Sequence, residues 1–205
     1  ERIWNELERI ILGSNADIVL ARMNQDAILP AIIGISVPPE LFELVTKLPP
    51  DLEARIAILF STLKSKEVSD ILTRLRASNK VIKRTKHLHF LVHNTPAANE
   101  LRLYRKVVSG EVPTHSLLRS AIGEDTSLIL KSLQYPEDIA CLIDGDWLMA
   151  KTGLIPGAKL GRLKDWLYRI QIERAYTTIS QMETALCTIS WSHGDSSNWP
   201  KPQWP

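Results

Sequence analysis

The spacing of apolar residues constrains the fold of this chain more than any other feature. Apolar side chains recur every three or four positions through most of the 205 residues, whereas the alternating pattern of a half-buried strand is almost absent. Proline or glycine interrupts this pattern at short intervals, as at Gly13, Pro49, Pro96 and Gly110. The sequence therefore predicts an all-α fold, a multi-helix array in which short helices are joined by short turns.

The same pattern divides the chain into four segments. We expect helices in residues 1–30, a larger helical body in residues 31–135 and a further helical segment in residues 136–190. Residues 191–205 are rich in tryptophan, proline and small polar residues and contain no periodic apolar set. Because such a composition cannot build a core of its own, we expect a disordered C-terminal tail there.

The charge of the chain is unevenly distributed. The net charge is only +2, but residues 64–119 contain twelve Lys and Arg against four Asp and Glu and therefore carry +8. The remaining residues carry −6. A basic segment on a nearly neutral protein favours an anionic polymer, such as a nucleic acid, as the partner.

Other global features exclude several classes of protein. No apolar run approaches the roughly 20 residues of a membrane span, and no signal-peptide pattern opens the chain. Cys141 and Cys187 lack the spacing of metal ligands, and we expect free thiols in a reducing compartment. These features predict a cytoplasmic protein with no membrane partner. The sequence begins at Glu1, without a methionine and within a helical pattern. We therefore also expect the chain to belong to a longer polypeptide.

The most basic helix is predicted in the stretch NKVIKRTKHLHFLVH, residues 79–93. On a helix its apolar residues share one face, and Lys80, Lys83 and Lys86 lie opposite with Phe90 among them. A solvated charged face with a packed phenylalanine would give this pattern, and so would phosphate contacts beside a stacking ring. A second basic cluster one helix later favours the nucleic-acid surface. The candidate phosphate contacts of both helices are Lys80, Lys83, Arg84, Lys86, Arg102, Arg105 and Lys106.

The stretch GLIPGAKLGRLKDWL, residues 153–167, has glycines where one helix ends and the next begins. Gly153 is typical of a left-handed helix terminator. Gly157 and Gly161 leave the first turn of the next helix bare, and with Lys159 and Arg162 beside it this helix end suits a phosphate group. Alternatively, Gly161 only permits close packing of two helices. The sequence leaves both interpretations open.

Two groups of residues resemble metal sites. His89 and His93 are four residues apart and His87 is close by, but no carboxylate or thiol lies beside them and the neighbouring lysines repel cations. Asp144 and Asp146 resemble a carboxylate pair for Mg²⁺, but they directly precede a predicted helix, so capping is the better interpretation. We therefore predict no metal site, no cofactor and no catalytic residue in this chain.

Both ends of the chain resemble one enzyme family. The opening ERIWNELERIILG is similar to the ERI-x-x-EL segment that ends the neck of class II tRNA nucleotidyltransferases, the CCA-adding enzymes and bacterial poly(A) polymerases. The stretch from Ile143 to Leu186 resembles that family's C-terminal signature. That signature runs G-x-D-L-M, then G-L-x-P-G-P-x-hydrophobic-G, and closes with a short threonine-started helix. Trp147 and Ala158 depart from this signature, where the family usually has an aspartate and a second proline.

The resemblance implies that residues 1–30 end a neck, that residues 31–135 form the body, and that residues 136–190 form the tail of an RNA-binding region. This region would hold the acceptor and TΨC arms of tRNA. A catalytic head, in the same polypeptide and upstream of Glu1, would bind Mg²⁺, CTP and ATP and add CMP and AMP to the tRNA 3′ end. Glu1, Arg2 and Glu6 match the last neck motif and would brace the helix that selects the nucleotide. This chain alone would be inactive.

The sequence thus predicts the tRNA-binding region of a nucleotidyltransferase that adds CCA, part of it, or poly(A). The predicted RNA-binding residues are Lys80, Lys83, Arg84, Lys86, Phe90, Arg102, Arg105, Lys106, Gly157, Lys159, Gly161 and Arg162. Two alternatives remain. One is a helical protein-interaction module with the tryptophan-rich tail as a docking peptide, and the other is a metal-dependent phosphohydrolase built on the histidines.

Overall fold

The computed structural model describes residues 2–192 and 195–205, and it confirms the all-α prediction, since no strand occurs among them. The α-helices are α1 (Arg2–Leu12), α2 (Ala16–Gln25), α3 (Ile28–Ile33), α4 (Glu40–Lys47), α5 (Leu52–Leu59), α6 (Ser65–Arg74), α7 (Asn79–His93), α8 (Leu101–Val108), α9 (Val112–Ala121), α10 (Ser127–Lys131), α11 (Gly145–Thr152), α12 (Ala158–Arg174) and α13 (Ile179–Thr188). Short 3₁₀ turns lie at Ser109–Glu111, Ser132–Gln134 and Ser196–Asn198. None of the described helices has both the length and the apolar character that crossing a membrane requires.

The helices form two compact units. Unit 1 contains the residues up to 95 together with 113–126, and unit 2 contains residues 96–112 and 127–205. These limits differ from the segments expected from the sequence. In unit 1, Leu7, Leu29 and Phe42 belong to one buried cluster, so α1, α3 and α4 share a core across residue 30.

The core of unit 2 is built on α11, α12 and α13. Leu148, Leu163 and Met182, one from each helix, are completely buried in it. The ends of α11 follow the sequence predictions. The Asp144 carboxylate accepts the backbone N–H of Trp147 at 2.8 Å, and Gly153 ends the helix in the left-handed conformation at φ 68°. Both caps are therefore confirmed.

The prediction of a disordered C-terminal tail is wrong for the residues that the structure describes. Trp199 is 8% exposed in the core of unit 2, and its ring lies 5.5 Å from that of Trp166. Trp204 packs edge to face on Tyr104 at 4.8 Å and donates its indole N–H to the Glu100 carboxylate at 3.2 Å. The tail lacks helical periodicity because its large aromatic side chains, and not a helix face, anchor it. His193 and Gly194 lie outside the described residues.

A single buried arginine ties together three parts of unit 1. Arg55, on α5, is only 5% exposed. Its guanidinium donates to the carbonyl oxygens of Ile11 at 2.7 Å and Gly13 at 3.0 Å, where α1 ends. It also donates to those of Leu48 at 2.9 Å and Pro49 at 3.0 Å, in the link between α4 and α5. The Pro49 carbonyl also accepts the Asp51 N–H at 2.7 Å, but the other three have no helical donor among the described residues. One side chain therefore satisfies carbonyls at the ends of two segments.

We expect Arg55→Met to lower the free energy of unfolding of unit 1 by about 3–5 kcal/mol, because it fills the volume but leaves several buried carbonyls without donors. Urea titration followed through the amide signals of α1 and α5 measures this loss. Arg22→Met is the matched control: Arg22 forms an exposed ion pair with Asp26, so its loss should cost less than about 1 kcal/mol. A similarly small effect at Arg55 would show that water replaces the guanidinium.

Candidate nucleic-acid interface

The lysines of α7 lie on its solvent-exposed face, as the periodicity predicted. Thr85, Leu88 and Val92 are buried, so α7 turns these residues toward the core of unit 1. The helix begins with a side-chain cap, in which the Ser78 hydroxyl accepts the N–H of Val81 at 3.3 Å. The opposite side carries the lysine stripe, which we define as Lys80, Lys83 and Lys86. All three are exposed and form no ion pair within the described part of the chain.

Arg84, on the same helix, is neutralised inside unit 1. Its guanidinium binds both carboxylate oxygens of Asp51, at 2.7 and 2.6 Å, and the Glu53 carboxylate at 3.0 Å. About 29% of the Arg84 side chain is exposed, and 28% and 15% of those of Asp51 and Glu53. A bidentate ion pair of this kind fixes the orientation of the guanidinium and also neutralises its charge. The structure therefore gives Arg84 a structural role in place of the expected phosphate contact.

The environment of Asp51 reflects this pairing. Burial raises the pKa of its carboxyl group, but hydrogen bonds from Arg84 and from the Ala54 N–H outweigh burial and lower the pKa below its ordinary value. The Ala54 bond, 3.1 Å long, is also the N-cap of α5. Asp51 thus starts α5 and anchors α7 with the same side chain.

Phe90 lies at the C-terminal end of the lysine stripe, beside an open groove of about 500 Å³. We call it the α6–α7 groove. The turn before α6 forms one side and the last turn of α7 the other. Its lining residues are Ser61, Thr62, Leu63, Lys64, Ser65, His89, Phe90, His93 and Asn94. Phe90 is half-buried and lines this groove beside the lysines.

The histidines of α7 do not converge as metal ligands. His89 is 4% exposed, and its Nε2–H lies 3.2 Å from the carbonyl oxygen of Phe60, which accepts it. The His89 and His93 rings meet edge to face at 5.0 Å. Burial, with His93 nearby, lowers the pKa of His89. No group of three or more His, Cys, Asp or Glu in residues 2–192 and 195–205 could hold a metal ion.

In unit 2, α8 carries the second basic cluster, and its members differ in role. Arg105 binds the Glu137 carboxylate at 2.6 Å and the Ser109 carbonyl at 2.7 Å, so its charge is compensated internally. Arg102 stacks over the Tyr135 ring at 4.5 Å and is half-exposed. Lys106 is half-exposed and forms no ion pair among the described residues. Only Arg102 and Lys106 therefore remain as candidate ligand contacts on α8.

The N-terminal end of α12 is bare. A Cβ atom built at Gly157 or at Gly161 would meet no atom within 4 Å, so neither glycine is needed for helix packing. Of the two interpretations that the sequence left open for Gly161, close helix packing is therefore not supported, and a phosphate site stays a prediction. No side chain caps the first turn, and Lys159 and Arg162 are half-exposed beside it. Uncapped N–H groups and two cations give this end a positive potential.

The residues of the neck motif lie on α1, except Glu1, which lies outside the described residues. Arg2 and Glu6 are exposed and border an apolar groove of about 230 Å³ on α1, α2 and α3. Glu6 forms an exposed ion pair with Arg9 at 3.3 Å. Ile3, which also lines this groove, is 58% exposed, whereas isoleucine side chains are usually buried.

We expect Arg84→Gln to lower the stability of unit 1 by about 1–2 kcal/mol at pH 7. The pKa of Asp51 is lower in the folded state than its ordinary value of 3.8. The ion pair therefore stabilises the fold fully at pH values above 3.8, and this stabilisation is lost as the pH falls through the lowered pKa. Wild type and variant should therefore converge in urea titrations once the pH lies below the lowered pKa of Asp51. Arg9→Gln, which breaks only the exposed Glu6 pair, is the control and should change little at either pH. A pH-independent difference for Arg84→Gln would contradict this assignment.

No protein-family model, no curated protein and no solved structure matches this chain. The exposed lysine stripe, the α6–α7 groove and the bare end of α12 are among the features that a ligand can reach.

Proposed function

We propose that this chain is the RNA-holding region of a tRNA nucleotidyltransferase of the CCA-adding or poly(A) type. The observation that supports this most is the separation of roles among the cations. Arg84 and Arg105 are bound to carboxylates within their units, whereas Lys80, Lys83 and Lys86 form no ion pair in the described part of the chain. Unpaired, exposed cations in a row are what phosphate binding by counterion release requires.

The length of the lysine stripe suits contact with the phosphate backbone of RNA. Lys80 and Lys86 are six residues apart on α7, which is about 9 Å along the helix axis. Flexible ammonium groups can neutralise neighbouring phosphates without reading bases. This suits an enzyme that accepts every tRNA, because A-form duplexes are recognised mostly through shape, phosphates and 2′-hydroxyl groups.

The bare end of α12 supplies a second contact of the same kind. Gly157 and Gly161 leave its first turn open, so an RNA phosphate could approach the backbone N–H groups directly. Lys159 and Arg162 would add charge at the same place. On α8, Arg102 and Lys106 would extend the contact surface of unit 2.

The chemistry of the proposed parent enzyme belongs to its head, where Mg²⁺ would assist the transfer of CMP and AMP from CTP and ATP. The described residues of this chain do not fit that role. Asp144 caps α11, and no cluster of three potential metal ligands is present among the described residues. We therefore assign this chain the binding and positioning of tRNA, and assign Arg2 and Glu6 the support of the neck.

The alternative of a docking peptide in the tail has little structural support. Trp199 and Trp204 are 8% and 7% exposed, so the residues that such a peptide would present are buried in unit 2. The phosphohydrolase alternative needs converging histidines, and His89 instead bonds the Phe60 carbonyl.

We expect the double variant Lys83→Glu, Lys86→Glu to weaken binding of a tRNA minihelix at least about tenfold at low salt. The slope of log affinity against log salt should become shallower by about one per lysine. Fluorescence anisotropy over a salt series measures both. Both residues are exposed, so thermal unfolding should be nearly unchanged.

Lys47→Glu with Lys131→Glu is the matched control, since it reverses two other exposed lysines and gives the same net charge. If the control weakens RNA binding as much as the stripe variant, the effect is one of net charge and our site assignment is wrong. Salt-insensitive binding by the wild type would contradict the proposed function itself.

We expect Gly161→Ala to raise the stability of unit 2 by about 0.5–1 kcal/mol, because the helix gains a better former and the added methyl meets no atom. The same methyl should lower minihelix affinity about threefold or more by obstructing the approach to the α12 end. Gly145→Ala is the control, since its methyl would contact only Leu160, at 4.0 Å. Higher stability with unchanged RNA affinity would remove this helix end from the binding surface.

A further inference from the structure

The α6–α7 groove lies where the lysine stripe ends. Phe90 follows Lys86 by four residues and Lys83 by seven, so all three share one side of α7. The groove lies entirely in unit 1, between the C-terminal turn of α7 and residues 61–65. The bond from the His89 ring to the Phe60 carbonyl, at 3.2 Å, holds α7 against the end of α5 beside the groove. An RNA strand that follows the lysines therefore reaches this groove.

The walls of the groove combine flat rings with hydrogen-bonding groups. Phe90 and His93 supply aromatic surface, and the edge-to-face contact with His89 orients the His93 ring. Asn94 donates its amide N–H to the Phe90 carbonyl at 2.7 Å, so its side-chain oxygen remains an acceptor. Aromatic rings with amide acceptors are the surroundings in which unpaired bases bind.

The opposite rim is cationic and rich in hydroxyl groups. Lys64, exposed at this rim, contributes an ammonium group, and Thr62 and Ser65 contribute hydroxyl donors. None of the nine lining residues is acidic. The nearest carboxylate on α6, that of Glu67, accepts the backbone N–H of Lys64 at 2.7 Å. This rim favours an anion and disfavours a cation.

We propose that the α6–α7 groove binds one unpaired nucleotide of the RNA. Its base lies against Phe90 and His93, and its phosphate is held by the Lys64 ammonium and the Ser65 hydroxyl. A volume of about 500 Å³ suits a single nucleotide, and it is within the range of small-ligand sites. This inference rests on the proposed function and adds that RNA with an unpaired nucleotide binds more tightly than an uninterrupted duplex.

Two RNA hairpins with the same stem, one blunt and one with a short single-stranded tail, test this proposal. The wild type should bind the tailed hairpin about tenfold more tightly. Phe90→Leu with Lys64→Gln should abolish this preference, because it lowers the affinity for the tailed hairpin about tenfold more than that for the blunt hairpin. Lys64→Gln retains the backbone N–H that Glu67 accepts, so the start of α6 is kept. Lys47→Gln is the matched control and should retain the preference.

The two hairpins also separate this proposal from the proposed function. If the wild type binds both hairpins equally and with steep salt dependence, RNA binding stands and the groove proposal is wrong. If it binds neither, the proposed function fails. An equal loss of affinity for both hairpins in the double variant would overturn the groove proposal as well.

A titration with AMP and with inorganic phosphate, followed by amide chemical shifts of the full wild-type chain, gives a readout that does not depend on a variant. AMP should shift residues 61–65 and 89–94 together, while phosphate should shift only residues around Lys64. Shifts elsewhere with none in these two segments would contradict the proposal.

Discussion

The buried guanidinium of Arg55 is the interaction on which the arrangement of unit 1 depends. It closes the end of α1 and the link before α5 with four hydrogen bonds, at a position one helical turn after Asp51. Asp51 caps α5 and binds Arg84, which joins α7 to the start of α5. Thr85, Leu88 and Val92 are buried on the opposite side of α7, so the lysine stripe lies at the surface.

Three arginines and the lysines of the stripe have separate tasks in this protein, for a physical reason. The planar guanidinium forms several bonds of fixed geometry, and Arg55, Arg84 and Arg105 use it to join segments through carbonyls and carboxylates. The ammonium of lysine is strongly hydrated and remains at the surface. Counting basic residues thus overestimates the charge available to a ligand.

The sequence predicted features that depend on neighbouring residues. Helical periodicity gave the all-α fold and the exposed side of α7, and the turn chemistry of Asp144 and Gly153 gave the ends of α11. It did not predict contacts between distant residues. Arg84 and its partner Asp51 are 33 residues apart, and Trp204 bonds Glu100 across 104 residues. The sequence did not predict the α6–α7 groove either, because no local pattern links residues 61–65 to the end of α7.

The bare start of α12 shows how a stability argument can indicate function. A glycine within a helix costs about 0.5–1 kcal/mol relative to alanine, and this cost is usually offset by a close contact that a methyl group would prevent. Gly161 has no such contact, since nothing lies within 4 Å of the position where its Cβ would be. The fold thus gains nothing from the absent side chain. The end of α12 is therefore open and positively polarised, with Lys159 and Arg162 beside it, and under the proposed function this is where an RNA phosphate would approach.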